Sequence, residues 1–208
     1  MVECFNKISQ DSECHAVVIS GAGKIFTAGI DLMEIGSIFV MVEGDDTARK
    51  AWNIRKKIRE YQETFNVLEK CPKPVIAAIH GACIGGAYPK LIALLAPVPS
   101  LVNELTFTAR KMMAPEAESS GLVSRVFQDK ETMMQSAFDL AVEIASKSPV
   151  AVQGSKVNLV YSRDHSVPEG LKYMAAWNMS MLQTEDIIKS AQASLEKKTP
   201  KQITYAKL

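Results

Sequence analysis

The chain has 208 residues, 47 % of them apolar and 23 % charged, which is the composition of an ordinary globular protein with one substantial core and excludes a disordered chain. With 24 basic against 23 acidic side chains there is no global field to draw a polyanion, so nucleic acid is not an expected partner. The four cysteines, Cys4, Cys14, Cys71 and Cys83, sit at no metal-ligand or Cys-x-x-Cys spacing and read as reduced thiols of an intracellular protein, with no disulfide framework.

In chain order, Val2, Phe5 and Ile8 at helical spacing predict that Met1 to Ile8 is the end of an amphipathic helix. Ala16 to Ser20 reads as a buried strand, and Gly21 to Leu32 as the loop after it. Thr47 to Glu69 reads as a long charged helix with Trp52, Ile58, Tyr61, Phe65 and Leu68 as its apolar stripe. Cys71-Pro72-Lys73-Pro74 ends it, because proline cannot continue a helix. Val75 to Ile79 is the second strand and His80 to Gly86 the loop that follows. Ala87 to Pro99 carries three prolines and no helix cap. The apolar stretch from Leu91 to Val98 lies within it and is broken by Pro97, with Pro89 and Lys90 before it. That falls far short of the roughly 20 residues a membrane span needs, and no N-terminal signal or transit peptide is read. Beyond it, Leu101 to Met112 reads as a helix and Gly121 to Phe127 as a short extended run. Asp129 to Ser146, Pro149 to Tyr161 and Val167 to Lys197 read as helices, so the last third is mostly helical.

Two loops carry the chemistry. Phe26-Thr27-Ala28-Gly29-Ile30-Asp31-Leu32 follows one apolar run, and His80-Gly81-Ala82-Cys83-Ile84-Gly85-Gly86 follows the other. Where a buried strand breaks into a glycine turn and then a helix, unpaired backbone N–H groups point outward and can hold a developing negative charge. Two such loops can build an oxyanion hole. Between Lys70 and Asn103, however, the chain has no Asp or Glu, so nothing directly after the second loop can move a proton.

Other polar features have plain structural readings. Asp31 reads as a helix cap, His80 as a strand-end residue satisfying backbone, and His15 and His165 as surface residues. Asp164-His165 beside Ser162 or Ser166 suggests a triad, but no Gly-x-Ser-x-Gly elbow exists. Gly21-Ala22-Gly23-Lys24 lacks the upstream glycine and following hydroxyl of a phosphate loop. Met112-Met113 and Met133-Met134 read as core filling. Glu116 and Glu118, the nearest carboxylates of interest, fall in what reads as a surface turn.

The order strand, Phe-Thr-Ala-Gly-Ile-Asp-Leu, long helix, Pro-Lys-Pro-Val-Ile-Ala-Ala-Ile-His-Gly, Ile-Gly-Gly resembles the enoyl-CoA hydratase/isomerase (crotonase) superfamily. Within it, Tyr61 to Gly86, Ser100 to Met113 and the terminal helices are most similar to the dienoyl-CoA isomerase branch of fatty-acid β-oxidation. The resemblance implies an α/β fold, a crotonase-like spiral of ββα units with a helical C-terminal region. It implies a core over 1–127, lacking the usual first strands and the segment after Gly86, and a helical region over 128–208. It further implies that the backbone N–H groups of Ile30 and Gly86 bind the thioester oxygen of an acyl-CoA. Ala28, Gly29, Ile30, Asp31, Leu32 and Gly86 then line the substrate pocket. No metal and no redox cofactor is expected, since the CoA thioester is itself the substrate.

The departures from the family pattern are as specific. The branch has an Asp three residues beyond the equivalent of Gly86, where this chain has Pro89. Its proton-shuttling Glu and Asp lie in a segment that Ala87 to Pro99 replaces. The resemblance therefore predicts a shortened dienoyl-CoA isomerase-like protein with impaired double-bond shifting. The alternative is an inactive acyl-CoA binder or oligomer partner, either as a homo-oligomer or mixed with full-length enzyme, and a third possibility is a chain that does not fold stably. Ala206-Lys207-Leu208 nearly matches the Ser-Lys-Leu address read by the peroxisomal import receptor. A peroxisomal location is expected, or a mitochondrial one if a transit peptide precedes this sequence.

Overall fold

A computed structural model describes residues 1–31, 33, 36, 42–85, 99–199 and 202–208. In chain order the elements are α1 (Val2–Gln10), β1 (Val17–Ser20), α2 (Thr47–Lys70), β2 (Val75–Ala78), α3 (Pro99–Thr108), α4 (Ala114–Ser119), α5 (Lys130–Ala145), α6 (Pro149–Arg163), α7 (Val167–Met181) and α8 (Asp186–Leu195). β1 and β2 pair in a two-stranded sheet, and the Val17 N–H donates to the Pro74 carbonyl at 2.9 Å. The chain divides into two compact units. One is Met1–Ile19, Glu60–Ile76 and Ala137–Leu208; the other is Ser20–Arg59 and Ala77–Ser136.

The first unit is built on the apolar face that the spacing of Val2, Phe5 and Ile8 gives to α1. Phe5 is buried with Val67 and Cys71, and Val2, Ile8, Val17, Leu68 and Val75 pack against them. Helix ends leave their last carbonyls without intrahelical donors, and here two lysines supply them. Lys73, only 1 % exposed, donates its ammonium to Ile8 O at 2.7 Å and to Asp11 O. Lys156 on α6 donates to Leu68 O at 2.9 Å and Lys73 O at 2.7 Å. Burial pushes the Lys156 pKa below the usual lysine value, with Cys71 and Glu69 pulling it back up. Ser148 caps α6 by accepting from Ala151 N–H and donates to the buried Asp186 carboxylate at 2.6 Å. Glu169 closes a capping box on α7, accepting the N–H and the hydroxyl of Ser166 at 2.9 and 2.6 Å. Those two bonds hold its carboxyl below the usual range.

In the second unit Leu105 of α3 is fully buried. The helix stops at Thr108 because Ala109 adopts φ 51°, short of the predicted Met112. It also begins two residues earlier than the predicted Leu101. The predicted surface turn around Glu116 is the helix α4, started by a proline in its first turn and ended by a Schellman motif. There Gly121 takes φ 76°, its N–H bonds Glu118 O at 3.0 Å, and the Leu122 N–H reaches Ala117 O at 2.9 Å. That wrap uses the backbone of the predicted extended run Gly121 to Phe127, which forms turns and bends instead.

Other expectations shift in detail. The single helix predicted over Val167 to Lys197 is two, α7 and α8, separated where Thr184 Oγ1 accepts the Asp186 N–H at 3.2 Å. Of the stripe predicted on α2, Tyr61, Phe65 and Leu68 are half-buried, whereas Trp52 is 68 % exposed, with Arg55 over its ring at 5.7 Å; the buried residue of the helix is Val67, outside that stripe. Ile58 is exposed too, as is Met113, which therefore does not fill the core; Met133 does. His15 is half-buried rather than a surface residue. Apart from the first residue of α3 at Pro99, the predicted stretch Ala87 to Pro99 lies outside the described residues, as do Leu32, Gly86 and Pro89.

Candidate active site

The two glycine loops run alongside each other in a constant register. The N–H groups of Phe26 and Thr27 both donate to Ala82 O, at 3.0 and 3.2 Å, and the Ile84 N–H donates back to Thr27 O at 3.0 Å. Thr27 and Cys83 form a parallel bridge. Two residues further on, Gly29 and Gly85 meet backbone to backbone. Both have left-handed torsions, φ 96° and 91°, and a Cβ on Gly85 would stand 2.6 Å from Gly29 Cα. Only glycine allows that approach.

This zipper takes up some of the two loops' donors and leaves others, the Ala28 N–H among them, with no described acceptor. Phe26, Thr27 and Ile84 are used across the pair, and the Gly29 N–H is taken by Thr27 Oγ1 at 3.1 Å. No described residue accepts from the Ile30 N–H. Ala28, Ile30 and Asp31 are exposed and Gly29 half-buried. Asp31 Oδ1 accepts the Met33 N–H at 2.9 Å, the local cap read for it. Leu32 and Gly86, the other predicted site residues, lie outside the described residues, Gly86 being the residue after the last described rung.

At the other end of the zipper stands His80, on backbone as predicted: its Nε2 meets Gly23 O at 3.2 Å and its Nδ1 lies 3.4 Å from Ser20 Oγ. Ser20 in turn donates to Ala78 O at 3.0 Å. The reading of the sequence missed a third partner, Lys130, whose ammonium contacts both Gly21 O and Gly23 O at 3.1 Å. Sequence spacing gives no signal for a contact of that span.

Acid and base groups are engaged elsewhere. Arg110 forks onto Glu116 at 2.6 and 2.9 Å and bonds Glu104 at 2.7 Å. The hydrogen bonds from Arg110 hold the Glu116 carboxyl below its usual range, so it is an ionised partner rather than a proton donor. Burial pushes the Cys83 thiol up, away from thiolate chemistry. The triad suggested by Asp164-His165 is not assembled: Asp164 pairs with Arg163 at 3.2 Å, while His165 Nδ1 lies 2.7 Å from Tyr161 O and its ring stacks on Tyr161. Among the described residues no cluster of three or more His, Cys, Asp or Glu is placed to hold a metal, and no helix is long and apolar enough to cross a membrane.

The architecture is that of the crotonase-like α/β fold. The solved enoyl-CoA hydratase of Bacillus anthracis superposes with a TM-score of 0.79 at 25 % identity, covering 98 % of this chain and 85 % of that one. A model of the family described as Enoyl-CoA hydratase/isomerase matches residues 1–98 and 94–203. The mitochondrial Delta(3,5)-Delta(2,4)-dienoyl-CoA isomerase of Mus musculus is 58 % identical over 240 residues, covering all of this chain and 73 % of its own length. The peroxisomal enzyme of that name from Arabidopsis thaliana is 35 % identical over 238 residues, covering 99 % of this chain and 84 % of its own. The chain belongs to the enoyl-CoA hydratase/isomerase family.

Proposed function

We propose that this chain is a dienoyl-CoA isomerase-like protein of fatty-acid β-oxidation that binds an acyl-CoA thioester at the paired loops but shifts its double bonds poorly. The observation that carries the reading is the zipper, which leaves the Ile30 N–H without a described acceptor while Gly85 leads directly to Gly86. Abstraction of a proton beside a thioester builds an enolate, and two preorganised backbone donors are suited to its oxygen, each worth roughly 10²- to 10³-fold in rate. Ala28, Gly29, Ile30 and Asp31 are assigned to the substrate side, and Leu32 and Gly86 join them on the family resemblance alone. The thioester supplies the needed acidity once its oxygen is held, so the reading calls for no metal or redox cofactor.

Impairment follows from what should come after Gly86. The relatives align over 240 positions with a chain of 208 residues, and the family match falls into two stretches that overlap at 94–98. Both fit an internal segment present in relatives and lacking here, in the span without carboxylates. Positioned acids and bases contribute roughly 10²- to 10⁴-fold each. Titration calorimetry with a CoA thioester, followed by a 3,5-dienoyl-CoA turnover assay on the same sample, is expected to show binding with turnover at least ~10²-fold below a full-length relative. Turnover equal to the relative's removes the impairment, and absence of binding removes the site.

A second reading, as an inactive subunit of an oligomer with itself or with a full-length relative, is favoured by large apolar side chains left uncovered on the C-terminal helices. Leu159, Ile188 and Leu195 are 72 %, 70 % and 86 % exposed. Light scattering on the calorimetry sample and on a co-expressed pair checks it: the mass of single chains in both refutes it.

For location, the relatives are named both mitochondrial and peroxisomal. Where Leu208 is the free carboxyl end, we propose recognition by the peroxisomal import receptor, since Ala206, Lys207 and Leu208 are exposed. A fluorescent fusion that ends in these residues should enter peroxisomes and lose that address on deletion of Leu208; a distribution unchanged by the deletion refutes it.

A further inference from the structure

We propose that Lys130 and His80 are positioning residues that hold the first loop in register with the second, and so set the direction of the Ile30 N–H. This rests on the reading of Ile30 as a thioester-oxygen donor. The first loop is fixed at its far end by the rungs from Phe26 to Gly29. Its near end, the turn Gly21-Ala22-Gly23, has no such rung. Gly23 has a left-handed φ of 70° and a Cβ added to it would meet nothing within 4 Å, whereas Gly21 lies close on the backbone of Ile25 and Phe26. The turn's hydrogen bonds among the described residues come from side chains: the Lys130 ammonium on Gly21 O and Gly23 O, both at 3.1 Å, and His80 Nε2 on Gly23 O at 3.2 Å.

The chemistry suits a clamp. A carbonyl only accepts, so the His80 contact places a proton on Nε2 and leaves Nδ1 facing the Ser20 hydroxyl. Ser20 gives its one hydroxyl proton to the Ala78 carbonyl at the end of β2, so none is left for Nδ1, and the ring's polar hold is its donation to Gly23 O. The ammonium is a charge-assisted donor, stronger than a neutral one. It comes from the first turn of α5, where Asp129 accepts the Thr132 N–H at 2.7 Å and its hydroxyl at 3.0 Å and so fixes the base from which Lys130 reaches. The hydrogen bonds of both side chains go to Gly21 and Gly23 rather than to Ile30; both act through the loop.

The test uses Lys130→Met, which keeps the aliphatic stem at an exposed position, Lys130→Arg as the conservative variant, and His80→Ala. A conjugated enoyl-CoA serves as a probe whose absorbance shifts to the red when its thioester carbonyl is polarised. Lys130→Met and His80→Ala are expected to shrink that shift and weaken enoyl-CoA binding by about two- to tenfold, the size one hydrogen bond carries. Binding of free CoA, which has no thioester carbonyl, should stay within about twofold, less than one hydrogen bond, and Lys130→Arg should restore the shift. An unchanged shift, an equal loss of free CoA, or no rescue by arginine overturns the proposal. Amide exchange over residues 26–30 is the second readout and needs no ligand: it should rise in Lys130→Met while the Phe5 and Val67 amides hold, and no rise overturns the clamp. If the parent protein gives no red shift but exchange still rises, the clamp stands and the thioester reading falls.

Discussion

Replacing Gly85 by alanine is expected to part the two loops and weaken binding of a CoA thioester by about tenfold or more, the loss of at least one well-placed hydrogen bond. The left-handed backbone at φ 91° alone costs an L-residue about 1–2 kcal/mol. The new methyl would also stand 2.6 Å from Gly29 Cα, a backbone atom with no rotamer to swing aside. Each rung of the zipper contributes only about 1 kcal/mol, so the rungs give way before the clash is absorbed. Gly23→Ala is the control, since it carries a positive φ of 70° with nothing near its added methyl. Calorimetry on both variants separates strain from collision. Equal affinity in Gly85→Ala and the parent would refute the loop contact as a requirement for binding.

Ser148→Ala is expected to destabilise the first unit by about 2–4 kcal/mol, from the loss of a hydrogen bond to a charged group and of a helix cap. One oxygen performs both tasks, accepting the Ala151 N–H at 3.3 Å and donating to Asp186 at 2.6 Å. Asp186 is only 4 % exposed, and without the hydroxyl its carboxylate loses its short donor where water cannot easily replace it. Urea unfolding checks this. Ser148→Thr should recover most of the loss, and Asp186→Asn combined with Ser148→Ala should cost less than the two changes summed. A loss under about 0.5 kcal/mol, the level of an ordinary surface change, would mean that the buried pair contributes nothing.

The glycine loops were legible because their signal is local. Gly29 and Gly85 are required by torsions and contacts that no other residue meets, and each follows an apolar run that forms a strand, half-buried along β1 and buried in β2 only at Ala78. The same locality fails at Gly121, where the glycine ends α4 rather than opening an extended run. Pro115 and Glu116 in the first turn of α4 were the available helix signals. The break between α7 and α8 has no glycine or proline to announce it, only the Thr184 hydroxyl turned onto a neighbouring N–H. Trp52 and Ile58 sit at helical spacing, but spacing cannot say whether anything covers a stripe. Lys73, Lys130 and Lys156 are of another kind: a lysine in sequence looks like a solvated charge, and only the fold reveals that each ammonium is spent on carbonyls.

The constant register of the two loops ties their lengths together. Inserting one residue before Gly85 alone would bring a residue with a side chain opposite Gly29, and inserting one before Gly29 alone would do the same to Gly85. Every later rung would slip with it. Insertions and deletions within 26–29 or within 82–85 are therefore admissible only in matched pairs. The zipper thus marks a stretch, 26–29 against 82–85, whose length is frozen by geometry.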